Sequence, residues 1–220
     1  MKSNMAVFKA VAIAIAMTAC ASFKPQLTQQ ELLASRQANA SDTKDGVTAS
    51  VEEFASPDKS RKAFDANIAH YGVLAILVRV ENKASQNYQL NRSNVTALLG
   101  GQPLAALQAE EASKSANNEY AGKALAWTAA TGPFAIILWP GTIAGSASHT
   151  AYVNRRVKWH FQGIELKDTL IKPNETTSGF VYFALPDKPK KLEDLIVQLD
   201  AMGEQSGKIS YKLAITAIDL

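Results

Sequence analysis

The stretch LKDTLIKPNETTSGFVYFALP, residues Leu166–Pro186, contains the strongest strand–turn–strand pattern in the chain. Pro173-Asn174-Glu175-Thr176 is typical of a turn with proline at its favoured position. After the turn, two sets of apolar residues alternate along the chain. One set is Phe180, Tyr182 and Ala184, and the other is Val181, Phe183 and Leu185. This pattern predicts a strand that is buried on both of its faces.

Further short strand patterns, separated by turn signals, recur on both sides of this stretch. They lie at Val47–Val51, Val73–Val80, Tyr88–Leu98, Leu192–Asp200 and Lys208–Ile218. The second of them is almost continuously apolar, which again indicates burial on both faces. Short, regularly spaced strands predict a mainly β domain over residues 47–220, and the immunoglobulin-like β-sandwich is the architecture expected first. A helical hairpin inserted at about 104–161 makes the fold α+β overall.

The insertion has a helical composition in its first arm, Leu104–Tyr120, and Ile143–Phe161 is predicted as a return helix. Residues 121–148, which connect the two arms and include the start of the second, contain a single charged side chain, a lysine. Gly132-Pro133 and Trp139-Pro140-Gly141 are typical of helix breaks. We therefore expect a helical hairpin with an apolar tip around 132–141.

Two roles remain open for this hairpin. Its tip could contact a membrane or an apolar protein partner, because tryptophans bracket its most apolar piece as interfacial aromatic residues do. The residues expected to make this contact are Trp127, Phe134, Ile136, Ile137, Leu138 and Trp139. Alternatively, the hairpin packs on the β body as part of its core. In both cases the piece between the two breaks is too short to span a bilayer.

The first twenty residues have the layout of a secretory signal. Lys2 and Lys9 form a positive n-region, Ala10–Ala16 is a short apolar h-region, and small residues come just before Cys20. Residues 1–19 are therefore predicted to be a signal peptide.

Residues 20–46 are predicted to form a tether between this signal and the folded body. They are mostly polar and have no sustained apolar period. A short helix is expected within them, capped at Thr28 with Glu31 at the capping-box position.

The N-terminal segment resembles a bacterial lipoprotein signal, in which a large apolar residue and two small ones precede an invariant cysteine. Met17-Thr18-Ala19 stand before Cys20 here, with Met at the position where Leu is usual. The resemblance implies that Cys20 begins the mature protein and carries diacylglycerol and a third acyl chain, which together anchor a protein stably. Because Ala21 and Ser22 follow, it also implies sorting to the outer membrane of a Gram-negative bacterium, facing the periplasm or the cell surface. Cys20 is the only cysteine, so no internal disulfide is expected.

The pattern P-x-E-T-x-x-G-F-V-Y-F at Pro173–Phe183 resembles immunoglobulin-like domains of bacterial envelope lipoproteins with no settled activity. The resemblance covers residues 47–99 and 164–220. It implies the sandwich architecture but no site, and the chain lacks the cysteines and the core tryptophan of antibody-type domains.

Charge gives no reason to expect nucleic acid as a partner. The chain has 23 basic and 20 acidic residues, and the loss of Lys2 and Lys9 with the signal leaves 23 less 2, or 21, basic residues. A nearly neutral protein lacks the basic surface that nucleic-acid binding needs. Arg155-Arg156 and Lys158, beside Trp159, could meet lipid headgroup phosphates or could simply form a polar helix face.

No catalytic or metal-binding pattern is present in the sequence. His70, His149 and His160 have no ligand spacing with one another or with Cys20, and no phosphate-binding loop, H-E-x-x-H or G-x-S-x-G motif occurs. We therefore expect no cofactor, no metal and no enzymatic activity. The function expected is that of an envelope lipoprotein acting as a binding or assembly module. The alternative is a carrier whose insertion lines a pocket for a lipid or another small molecule.

Overall fold

The computed structural model of the protein describes residues 23–117, 139–186 and 191–220, with the backbone alone for 139–150. Its strands form three antiparallel sheets. In chain order the strands are β1 (Ala40–Lys44), β2 (Val47–Glu53), β3 (Val73–Asn82), β4 (Tyr88–Leu99), β5 (Gln102–Pro103), β6 (Ala106–Leu107), β7 (Thr169–Ile171), β8 (Thr176–Ala184), β9 (Lys191–Leu192), β10 (Leu195–Gly203), β11 (Gly207–Ile215) and β12 (Ile218–Asp219).

The first sheet has the order β1-β2-β3-β8-β6, and the second has the order β11-β10-β4-β5, with β7 also paired to β4. The small third sheet pairs β12 with β9. The centre of the first sheet is the long β3–β8 ladder, which runs from Val73 opposite Ala184 to Glu81 opposite Thr176. In the second sheet the β4–β10 register shifts, so that residues 91–94 of β4 bulge outward opposite Asp200.

One core lies between the two large sheets. Inward-facing side chains of β2, β3 and β8 pack against those of β4, β10 and β11, and the Tyr211 hydroxyl donates to the Val47 carbonyl oxygen across the gap at 2.8 Å. Buried members of this core include Val51, Ile76, Val78, Phe183, Leu90, Val197, Leu199 and Leu213. Two antiparallel sheets packed in this way form a β-sandwich.

A second core lies on the other face of the first sheet, beneath the helices. The helical elements are α1 (Gln29–Ala34), α2 (Pro57–Phe64), a 3₁₀ helix (Ile68–Tyr71), α3 (109–117) and α4 (Trp139–Ile164). Aromatic rings fill this core: the Phe180 ring centroid lies 4.9 Å from that of Phe54 and 5.4 Å from that of Phe64. The described body therefore has three layers, with helices on one side of the first sheet and the second sheet on the other.

The predicted fold class is confirmed, because the protein is mainly β and α+β overall. Strands β3 and β8 are buried on both faces, as their apolar runs predict. The predicted capping box is also present in α1. The Thr28 hydroxyl oxygen accepts from the Glu31 N–H at 3.2 Å, and the Glu31 carboxylate accepts from the Thr28 N–H at 2.8 Å.

The tether predicted for residues 20–46 is wrong from residue 23 onward. Phe23 and Leu32 belong to the helix-covered core, at 3% and 1% exposure. Ala40–Lys44 forms β1 and pairs along its whole length with β2. Strand β1 lies at the edge of the sheet with its side chains mostly exposed, so it is held by backbone hydrogen bonds and has no apolar alternation. A polar edge strand of this kind looks like a linker in the sequence.

The insertion differs from its prediction at both described ends. Ala106–Leu107 is a strand that pairs with β8, and the helix starts only at 109, because an open sheet edge outweighs the helical propensity of these residues. Trp139-Pro140-Gly141 lies within α4 instead of breaking it, which is possible because proline is tolerated in the first turn of a helix. One face of each arm packs into the core, and most of the tip that would distinguish the two roles lies outside the described residues. The core side chains of the two arms include Ala109, Ala112, Ala116, Val153, Val157, Phe161 and Ile164.

Candidate functional site: the exposed face of helix α4

Most of the residues predicted to contact a membrane or a partner lie outside the described residues. These are Trp127, Phe134, Ile136, Ile137 and Leu138, and the lipidation residue Cys20 also lies outside. Trp139 is the first residue of α4, and its side chain is not among those described. The candidate site is therefore formed by the part of α4 whose side chains are described and by the residues that contact it.

Helix α4 has a buried face and an exposed face in its last turns. Its buried face points onto β8, where the Tyr182 hydroxyl donates to the Phe161 carbonyl oxygen at 3.2 Å. The exposed face carries side chains at helical spacings of three and four residues, so they lie in one stripe. The stripe consists of Tyr152, Arg155, Arg156 and Trp159. We call it the α4 stripe.

The α4 stripe combines large aromatic and cationic groups in water. Trp159 is 60% exposed and Tyr152 is 54% exposed, the two largest values among the bulky apolar side chains described. The Arg156 guanidinium lies 5.9 Å from the centre of the Tyr152 ring, within range of a cation–π contact. Exposed aromatic rings interleaved with arginines are chemically suited to contact a layered surface, in which anionic groups lie above an apolar interior.

The cations near the stripe differ in how they are paired. Lys158 contacts the Glu110 carboxylate at 2.8 Å, and the hydrogen bond and charge of this lysine lower the pKa of Glu110. Among the described side chains, no carboxylate lies within 4.0 Å of Arg155 or Arg156. The stripe therefore presents two positive charges that no described acid neutralises.

A groove of about 260 Å³ connects the α4 stripe to the start of the described chain. Its lining comprises Phe23, Pro25, Gln29, Arg156, Trp159 and His160. The Phe23 ring packs edge-on against the His160 ring with centroids 5.3 Å apart, and the Gln29 side-chain amide donates to the His160 carbonyl oxygen at 3.2 Å. Phe23, where the described chain begins, thus lies directly beside the stripe.

His160 has a structural role at the inner wall of this groove. Its Nε2 lies 2.9 Å from the Ala63 carbonyl oxygen, so Nε2 carries the proton and donates, because a carbonyl can only accept. The side chain is buried among Phe23, Phe64 and Phe161, and this burial lowers the pKa of His160. The sequence places no other histidine and no cysteine at a metal-ligand spacing from this histidine. Its ring links α4 to α2 through the hydrogen bond to Ala63.

The lowered pKa of His160 predicts a pH-dependent loss of stability. The unfolded chain takes up a proton near the usual histidine pKa of 6.5, whereas the folded protein resists protonation. The stabilisation is complete above that pH and falls as the pH drops below it, by at most about 1.4 kcal/mol per pH unit. Urea unfolding at a series of pH values should show this loss in the native protein and a smaller loss in His160→Gln, whose amide can still donate to Ala63. Exposed His70, changed to Gln, is the control that keeps the native slope, and equal slopes for all three proteins would contradict the prediction.

A second, polar groove of about 420 Å³ lies on the outer face of the second sheet, at the β4 bulge. Its lining comprises Ser93, Asn94, Thr96, Gln198, Asp200, Lys208, Ser210, Tyr211 and Lys212. Lys208 contacts Asp200 at 2.8 Å, and this contact lowers the pKa of the Asp200 carboxyl. Asp200 and Lys208 thus satisfy each other, as paired charges on an exposed sheet surface do, while Lys212 is also part of the lining.

Two partly buried ionic clusters were not anticipated from the sequence. Lys59 bridges Glu52 at 3.1 Å and Glu53 at 3.5 Å, and Glu53 also accepts from the Ala55 N–H at 2.7 Å. Arg92 contacts Glu165 at 3.3 Å. Glu165 in turn accepts at 3.0 Å from the backbone N–H at position 109, where α3 begins. Their paired contacts and backbone hydrogen bonds indicate that both clusters hold the ends of elements in place.

Neither a metal centre nor a membrane-spanning helix is found in the described part of the chain. Within those ranges, no group of three or more His, Cys, Asp or Glu side chains is placed to hold a metal ion. None of the helices described is long and apolar enough to cross a membrane.

Comparisons with known proteins give little further information. No protein-family model and no curated protein matches the sequence. One solved structure that matches is a "putative lipoprotein (ycdA)" from Bacillus subtilis, at 12% sequence identity and a TM-score of 0.37. The match covers 83% of this chain but only 39% of that protein, so this chain spans well under half of its length. A likeness of this size carries no argument, and both the lipobox and the immunoglobulin-like assignment stay predictions.

Proposed function

We propose that the protein is a non-enzymatic lipoprotein of the bacterial envelope, a binding or assembly module anchored in the outer membrane through acylated Cys20. The observation that carries this proposal is the signal layout of residues 1–19 immediately before the only cysteine of the chain. The immunoglobulin-like assignment of the sandwich belongs to the same proposal. So does contact of the apolar residues between Trp127 and Trp139 with membrane or with a protein partner.

The position of the chain entry supports an anchored body that lies close to the lipid. Phe23 is only three residues beyond Cys20 and is buried against His160. Three residues span at most about 11 Å even when fully extended. An acylated Cys20 would therefore hold this side of the body at the membrane surface, with no long spacer in between.

The alternative, a carrier for a lipid or another small molecule, has less support in the described part of the chain. A carrier needs a concave, largely apolar pocket that encloses most of its ligand. Here the space between the sheets and the space beneath the helices are both occupied by core side chains. The two grooves described above open at the surface, and one of them is mainly polar.

Replacement of the anchor residue tests the proposed function. We expect Cys20→Ser to move the protein from the membrane fraction to the soluble fraction, because the acyl chains supply most of the membrane affinity. Carbonate washing followed by immunoblotting measures the distribution, and intact-mass spectrometry measures acylation. Ser22→Ala, which keeps Cys20, is the matched control and should remain acylated and membrane-bound. Retention of Cys20→Ser in the washed membranes would show that lipid at residue 20 is not the main anchor.

A further inference from the structure

We propose that the α4 stripe lies on an anionic lipid bilayer and sets the orientation of the anchored protein on the membrane. Trp159 and Tyr152 would sit at headgroup depth, and Arg155 and Arg156 would contact lipid phosphates. This inference rests on the proposed acylation of Cys20 and adds to it a specific protein surface and a specific lipid chemistry.

The α4 stripe lies beside the expected anchor. Arg156 and Trp159 line the same groove as Phe23, the residue at which the described chain begins. With at most about 11 Å of chain between Cys20 and Phe23, lipid at Cys20 inserts beside the stripe. The helices and the second sheet are the two outer layers of the body. The helical layer, which holds the stripe, is therefore kept against the bilayer.

The side chains of the stripe have the chemistry of a membrane interface. Trp and Tyr are the residues that favour the membrane–water boundary, because their rings are apolar at one end and form hydrogen bonds at the other. Arginine binds phosphate with two parallel N–H donors, which makes it well suited to lipid headgroups. Lys24 is also exposed, immediately after Phe23, and adds a further positive charge at the same end of the body.

The opposite side of the protein has a different surface. The outer face of the second sheet carries alternating polar residues, and its lysine at 208 is paired with Asp200. That face has neither an aromatic pair nor two unpaired arginines among its described residues. A body held by the α4 stripe would thus present the polar groove at the β4 bulge to the aqueous side.

The test measures the depth of single labels on the acylated, full-length protein. Acylation consumes the only native thiol, so a cysteine introduced by Trp159→Cys or Tyr152→Cys takes a nitroxide label alone. Lys212→Cys, on the exposed face of β11, is the matched control. Each protein is reconstituted in vesicles of phosphatidylethanolamine and phosphatidylglycerol, and EPR power saturation compares label exposure to oxygen with exposure to a water-soluble nickel complex. Thermal unfolding checks that each variant is folded.

We expect the labels at 152 and 159 to be shielded from the nickel complex and accessible to oxygen, and the label at 212 to be fully accessible to nickel. In Arg155→Gln/Arg156→Gln, the acyl chains should keep the protein on the vesicles, but the fraction of protein with a shielded label should drop. Two lost cations, each contributing about fivefold to binding of an anionic surface, weaken docking roughly 25-fold.

Three outcomes would overturn the inference. Equal nickel exposure at 159 and 212 in an acylated, vesicle-bound protein would show that the stripe faces water. Shielding only in native envelopes, and not in pure lipid, would assign the stripe to a protein partner. A protein whose Cys20 itself takes the label and stays in solution would contradict the proposed anchoring, and with it the geometry on which the inference rests.

Discussion

Phe180→Ala is expected to lower the free energy of unfolding by about 3–5 kcal/mol, the range typical of a large aromatic residue deleted from a packed core. Its ring is fully buried, at 0% exposure, and packs edge-on against Phe54 and Phe64 in the helix-covered core. Removing it takes away buried apolar surface and leaves a cavity that the rigid strand β8 cannot close. Urea unfolding followed by far-ultraviolet circular dichroism measures the loss.

Trp159→Ala is the control for this experiment, because Trp159 is larger than Phe180 but 60% exposed. We expect it to change the free energy of unfolding by less than about 1 kcal/mol. If Phe180→Ala also cost less than about 1 kcal/mol, the phenylalanine would lie at the surface and the register of β8 would be wrong.

Sequence patterns predict the central strands well because burial determines both the pattern and the structure. Strands β3 and β8 each lie between two cores, so both of their faces must be apolar, and their sequences are nearly continuous apolar runs. Strands β10 and β11 have one face in water and show the corresponding alternation. Where at least one face of a strand packs against a core, the order of apolar and polar residues alone is enough to predict that strand.

The parts that the sequence does not predict are those held by backbone pairing or by distant contacts. Strand β1 joins the sheet through backbone hydrogen bonds, so its side chains carry no signal. Phe23 is an isolated apolar residue in the sequence, and only the placement of α4 shows that it is buried and lines a groove. Strand β6 has helical residues but completes the edge of the first sheet.

The candidate site was only partly predictable for the same reason. Arg155, Arg156 and Trp159 are close together in sequence, and their affinity for lipid headgroups follows from their chemistry. Tyr152 joins them only once α4 is known to bury the opposite face of this segment. That the stripe lies beside the expected anchor depends on contacts more than one hundred residues apart, such as the one between Gln29 and His160.

Gly179→Ala is expected to lower the free energy of unfolding by about 3 kcal/mol, at the upper end of the range for overpacking. Gly179 stands in β8, directly before Phe180, where the chain leaving α4 crosses the sheet. The Leu166 N–H donates to the Phe180 carbonyl oxygen at 2.9 Å there. A Cβ on Gly179 would lie 2.3 Å from the Leu166 Cα and 2.6 Å from its backbone nitrogen. Because these are backbone atoms, neither can move aside as a flexible side chain would, and the crossing must shift.

Gly100→Ala separates this steric effect from the general cost of replacing a glycine. Gly100 has a positive φ of 56°, but a Cβ there would meet nothing within 4 Å. The conformational strain of that substitution is about 1–2 kcal/mol, so Gly179→Ala should be the more damaging change in the same urea titration. Gly179→Ala should also weaken protection of the Leu166 amide from hydrogen exchange, because the hydrogen bond to Phe180 cannot keep its length once the two segments are forced apart. A variant as stable as the native protein, with the Leu166 amide still protected, would show that β8 and the segment after α4 are not in close contact. This contact is what places α4 on the first sheet, and the α4 stripe depends on that placement.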